Sequence, residues 1–173
     1  MLTGFYDIFA LVVGKEEGMT LSLDPNDPGN WTGGKVKVGV LKGSKFGISA
    51  ASFPDVDIAN LTYSQAATLA KQRYWDVYQC DQFDPRIGYL VFDAAYNGGH
   101  PAIWLQEAVG AVTDGKVGAQ TIAAVRAANP LKIALLFMAN RFEYWTECIP
   151  WPTQSRGWTR RGALILQTIA ENS

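Results

Sequence analysis

Thr62-Tyr63-Ser64-Gln65-Ala66-Ala67-Thr68-Leu69-Ala70 carries the two signals that decide the class of this chain. Thr62, with Gln65 three residues on, is a capping box, a pair of side chains that closes a helix N-terminus by reciprocal bonds to backbone N–H groups. Ala66, Leu69, Ala70, Tyr74 and Val77 then recur at three- and four-residue steps, which draws one apolar stripe along a helix. Downstream the same grammar repeats. Ile87, Leu90, Val91 and Ala94 form a stripe that stops at Asn97-Gly98-Gly99. Pro101 opens a further helix with Trp104 and Ala108 facing inward. Residues 121–128 predict a short helix broken at Asn129-Pro130. Leu131, Leu135, Met138, Phe142 and Trp145 mark a long one, which Pro150 and Pro152 end, and 158–170 is the last.

Upstream, residues 3–17 are helical by the period of Phe5, Phe9, Val12 and Val13, with Gly18 as the stop. The texture changes over residues 19–48. Residues 24–30 and Gly33-Gly34 are turn formers, and Val36, Val38 and Val40 alternate with polar or glycine positions, which predicts a hairpin there. The class is mainly α with a small β-hairpin near the N-terminus. Two glycines and a proline interrupt the helices at 98–102. We therefore expect a division into 1–100 and 101–173, packed as one compact body.

Composition narrows the function. A length of 173 residues fits one or two small domains. Fifteen Lys and Arg against sixteen Asp and Glu leave a formal charge of -1, which excludes a strongly basic nucleic-acid binder and an acidic-tail protein. The single histidine, His100, rules out a multi-histidine zinc site and argues against a Ser-His-Asp triad. Cys80 and Cys148 are too few for a disulfide framework and read as small semi-buried hydrophobes. No metal and no cofactor is expected. The start of the chain shows no basic flank before its apolar part, and its apolar run over 8–13 falls far below the roughly 18 residues of a membrane span. The expectation is a monomer made in the cytoplasm without a signal peptide and without membrane insertion.

Glu16-Glu17-Gly18, followed by a loop with Asp24 and Asp27, is the first place where chemistry is legible. Glycoside hydrolysis needs a carboxylic acid that protonates the leaving oxygen, and commonly a second group that places water or steadies the oxocarbenium-like transition state. A glutamate in the last turn of a helix meets the negative end of the dipole, and apolar surroundings desolvate it. Both effects raise its pKa toward that role. Periodicity does not choose between Glu16 and Glu17.

The flanking words make the pattern specific. Glu17-Gly18, Asp24-Pro25-Asn26-Asp27-Pro28-Gly29, Gly33-Gly34 and Lys45-Phe46-Gly47-Ile48 occur in this order, followed by Tyr74-Trp75-Asp76 and Phe92-Asp93-Ala94-Ala95-Tyr96-Asn97-Gly98-Gly99. This resembles the phage and prophage muramidases of glycoside hydrolase family 108. Trp104-Leu105-Gln106, the run from Asp114 to Thr121, and Arg156-Gly157-Trp158-Thr159-Arg160-Arg161 are similar to that family's C-terminal peptidoglycan-binding region. The chain departs from the family at Met19, which replaces a glycine, in a longer segment over 30–43, and at Ser44, which replaces threonine but keeps a hydroxyl able to hold a water.

The resemblance implies a lysozyme-like fold that cleaves the β-1,4 bond between N-acetylmuramic acid and N-acetylglucosamine, with Glu17 as general acid. Asp24, Asp27 and Ser44 are the candidates for the second group. Trp31 and Trp151, in polar and Pro-rich surroundings, offer sugar-stacking faces. Tyr96, Asn97 and His100 are candidate cleft residues, as is Trp158, and the guanidinium groups of Arg156, Arg160 and Arg161 suit peptide-stem carboxylates. The partner implied is bacterial peptidoglycan in the periplasm, reached through a holin or secretion channel. Two alternatives share the fold: a wall-binding or secretion-associated protein without hydrolysis, and a lytic transglycosylase.

Overall fold

The computed structural model describes residues 2–14, 20–149 and 151–173. The Glu16-Glu17 step, Gly18, Met19 and Pro150 lie outside the described residues. The chain divides into two compact units, Tyr6–Arg73 and Met1–Phe5 with Tyr74–Ser173. Among the described residues there are seven α-helices and one two-stranded antiparallel hairpin, the mainly α class that the periodicity predicts.

In the first unit, α1 (Phe5–Val13) buries Ile8 and Phe9. It ends earlier than the predicted residue 17, because Gly14 turns to φ 77, a left-handed backbone that glycine adopts without a Cβ penalty. The hairpin also differs from the prediction. It pairs β1 (Ser44–Lys45) with β2 (Ile48–Ser49), and Lys45 sits opposite Ile48. Its two turn residues, Phe46 and Gly47, both have positive φ (54 and 75), the backbone whose twist matches a two-residue hairpin. Phe46 holds that uncommon conformation because its ring is buried edge-on against Tyr63, 5.7 Å away. Val36, Val38 and Val40 instead lie exposed on a tight loop closed by the Trp31–Leu41 bridge. Left-handed Lys37 and Gly39 break the extended backbone there, so alternation without a face to bury makes no strand pair.

The capping box forms as predicted. Thr62 Oγ1 accepts from the Gln65 N–H, Gln65 Oε1 accepts from the Thr62 N–H at 2.9 Å, and α2 follows (Tyr63–Ala70). The helical path continues as a five-residue π-turn, Lys71–Trp75.

The second unit begins with α3 (Pro85–Asn97), which is buried from Ile87 through Ala94. Three helices follow: α4 (Pro101–Val109), α5 (Ala119–Ala127) and α6 (Pro130–Glu147). The last, α7 (Trp151–Glu171), starts seven residues before the predicted 158, since Pro152 fits the first turn of a helix, where no backbone N–H is needed. The segment 98–102 lies inside this unit, and α3 packs on both α4 and α6. Trp104 meets Phe137 edge-on at 5.6 Å across the α4–α6 contact. Both cysteines are free, Cys80 buried and Cys148 half-buried. Among the described residues no single helix is long and apolar enough to cross a membrane.

Candidate active site

Four of the candidate residues are gathered in one loop cluster of the first unit. Asp24 Oδ1 accepts from the Asn26 N–H at 2.9 Å, and Asp27 Oδ1 accepts from the Gly29 N–H at 2.8 Å. Each aspartate thus builds its own turn, and Asp27 caps the 3-10 turn Pro28–Asn30. Both carboxylates stay exposed. Beneath them Asn30 is fully buried. Its Nδ2 donates to the Asp24 backbone carbonyl at 3.0 Å, and its backbone carbonyl accepts from the Lys42 and Gly43 N–H groups. The Trp31 indole N–H donates to the Pro25 carbonyl at 2.9 Å, which fixes the ring half-buried against the Asp-Pro loop. Ser44 joins the same cluster by a pair of backbone bonds with Ser22, at 2.9 and 3.0 Å. The Asp-Pro-Asn-Asp-Pro-Gly word is therefore a rigid loop that carries two solvent-facing carboxylates beside Trp31, with Ser44 tied to its base. Glu17, the acid that the family resemblance implies, is outside the described residues.

In the second unit, Tyr96 stacks on Phe92 at 5.2 Å and meets Tyr74 edge-on at 5.1 Å. Asn97, one residue on, donates from Nδ2 to the Asp93 carbonyl at 2.9 Å and is exposed. His100 stands exposed at the start of α4, edge-on to Tyr144 and Trp104 at 5.1 and 6.0 Å. Trp151 and Trp158 continue an aromatic run from Trp145, with ring centres 6.1 and 5.9 Å apart, and both are half-buried. Arg156 and Arg160 are exposed.

Sequence reasoning passed over the charge cluster inside this unit. Asp93 is only 1% exposed and lies between two guanidinium groups. Arg141, equally buried, approaches Oδ1 at 2.7 Å. Arg161 donates from Nε to Oδ2 at 2.9 Å and from Nη2 to the same oxygen. Burial pulls the Arg141 guanidinium below its ordinary value, opposed by the Asp93 charge. Burial pushes the neighbouring Tyr89 hydroxyl up to about 12, and the Asp93 charge adds to it. The Arg141 plane also lies over the Trp145 ring, 4.8 Å from its centre. A second buried polar centre is Gln106. Its Nε2 donates to Asp114 at 2.7 Å, and its Oε1 accepts from the Gly115 N–H, which locks the Asp114-Gly115 turn. The only sequence signal for either centre is a polar residue inside an apolar helix stripe.

The family model for Glycosyl hydrolase 108 matches residues 9–99, just over half of the chain. The chain belongs to glycosyl hydrolase family 108. The matched span contains Glu17, the Asp24–Asp27 loop, Trp31, Ser44, Tyr96 and Asn97. Membership places the chain among peptidoglycan hydrolases of the muramidase type. Among solved structures, the chain is similar to that of SagA from Brucella abortus, at TM-score 0.78 and 22% identity over 95% of this chain and 92% of that one. At that identity the likeness shows the fold. No curated protein matches the chain.

Proposed function

We propose that the protein is an N-acetylmuramidase that hydrolyses the β-1,4 bond between N-acetylmuramic acid and N-acetylglucosamine, with Glu17 as general acid. The observation that carries this reading is the family match over 9–99, because it encloses the one Glu-Gly step followed by the double Asp-Pro loop. In this reading Glu17 protonates the glycosidic oxygen as the bond breaks. The second group that places water or steadies the developing positive charge comes from Asp24, Asp27 or Ser44. The loop suits such a role because main-chain bonds hold its carboxylates in place before substrate arrives, so little ordering remains for the transition state.

Residues 101–173 act as a wall-binding region in this proposal, with Trp151, Arg156, Trp158 and Arg160 at the peptidoglycan. Tyr96, Asn97 and His100 contribute further substrate contacts. The protein reaches the periplasmic wall through a holin or secretion channel. Release of reducing ends from purified peptidoglycan tests the reaction. Products one water lighter, with anhydro-muramic ends, would show a lytic transglycosylase instead. Wall binding with neither product would show a binding protein.

A further inference from the structure

The outer face of α7 carries positive charge that no acid among the described residues neutralises. Arg156 and Arg160 stand four residues apart on the side turned away from the buried Gly162, Ile165 and Ile169, and both are exposed. Like charges at that spacing repel and slightly destabilise a helix. No acid occurs on α7 before Glu171. Among the described residues neither arginine forms an ion pair, with Glu143 and Glu147 of α6 or with any other acid. Arg161 is differently placed. Asp93 accepts from its guanidinium, and Arg141 occupies the other side of the same carboxylate, so that acid has no capacity left for the outer arginines. Overall composition does not explain this face, since the whole chain carries a formal charge of -1. With no acid partner among the described residues, both guanidinium groups are open to an external anion.

We propose that Arg156 and Arg160 form a specificity-determining face that takes free carboxylates of the peptide stems, so that the protein holds walls with unamidated stems in preference to amidated ones. The inference rests on the reading of peptidoglycan as substrate. The chemistry of that polymer then selects the ligand. Its glycan strand is uncharged where stems are attached, because the lactyl carboxyl is consumed in the amide bond to the stem. The carboxylates lie on the stem. Arginine's planar fork pairs with a carboxylate through two parallel bonds. At a spacing of four residues the two side chains start about 6 Å apart, a distance that two carboxylates on one stem can span.

The test is co-sedimentation of the full chain with purified sacculi freed of secondary polymers. Native sacculi are compared with sacculi whose stem carboxylates have been converted to neutral amides, each at low and high salt. Two exposed guanidinium–carboxylate contacts imply about 3- to 10-fold tighter retention on native sacculi at low salt, and high salt should erase the difference. The Arg156→Gln/Arg160→Gln variant should bind both preparations alike, with a melting temperature equal to or slightly above that of wild type. Equal wild-type retention on the two preparations overturns the proposal, as does a double variant that keeps the preference. Salt-sensitive capture by phosphatidylglycerol vesicles without any sacculus preference would assign the face to lipid and also overturn it. Reducing ends are counted on the same sacculi. Charge-sensitive retention without hydrolysis would contradict the muramidase reading and leave this face intact, and hydrolysis without charge sensitivity would do the reverse.

Discussion

Asp84 does two things at the start of α3. Its Oδ1 accepts from the Arg86 N–H at 3.0 Å, and its two oxygens hold the Arg86 guanidinium at 2.8 Å each. The Arg86 contact is the main reason its carboxyl lies below the usual carboxylate range. A depressed folded-state pKa contributes stability that is complete above the unfolded value of about 3.9 and is lost as pH falls through the lower folded value. Asp84→Asn keeps a cap but loses the charge. It should be less stable than wild type by about 0.5–1.5 kcal/mol near neutral pH. The gap should close below about pH 4 in urea melts, whereas a pH-independent gap would show that the ion pair contributes nothing. Asp93 makes the stronger prediction. Asp93→Ala leaves Arg141 and Arg161 buried or half-buried without their anion, which should cost about 3–5 kcal/mol by urea denaturation. Asp93 was legible only as a polar interruption of an apolar stripe. One of its partners lies 68 residues away, and pairing at that range leaves no periodic trace.

At the scale of elements, caps and prolines were the readable features. The Thr62–Gln65 box, Pro101 and Asn129-Pro130 all start helices, because each satisfies or removes an otherwise unpaired helix N–H by local chemistry. The hairpin was misplaced because alternation at 36–40 is a pattern without a buried face, whereas β1–β2 is fixed by the buried Phe46 and Ile48. The two-residue strands are too short to show a period. The Asp24–Asp27 loop was legible as turns, but the buried Asn30 that anchors it was not, since burial of a loop asparagine is decided by the tertiary bonds it receives. Packing between α6 and α7 depends on Gly162. A Cβ there would stand 2.5 Å from Phe142 Cε1, and that ring is itself braced edge-on against Trp145 at 5.4 Å. Gly162→Ala should destabilise by about 1–3 kcal/mol despite alanine's better helix propensity, as overpacking does. A stabilised variant in a thermal melt would show that the α6–α7 contact yields without cost.

For the whole molecule, the family match and the two compact units have different boundaries. Residues 9–99 take in most of the first unit and α3 of the second. The mainly α architecture was readable from helical periods alone, because each stripe needs only its own sequence. The break between units after Phe5 and at 73–74 was not readable, because continuous helical structure runs through both positions. The proposed hydrolysis turns on one side chain, Glu17, and one measurement tests that role most directly. Reducing-end release from purified peptidoglycan is compared for wild type, Glu17→Gln and Glu16→Gln, with folding checked by circular dichroism. The amide keeps the shape of the acid but has no acidic proton to give. Glu17→Gln should therefore lose roughly 10²–10⁴-fold in kcat while Glu16→Gln stays within a few-fold of wild type. A folded Glu17→Gln that still releases reducing ends at the wild-type rate, or a Glu16→Gln that alone is inactive, would contradict the assignment.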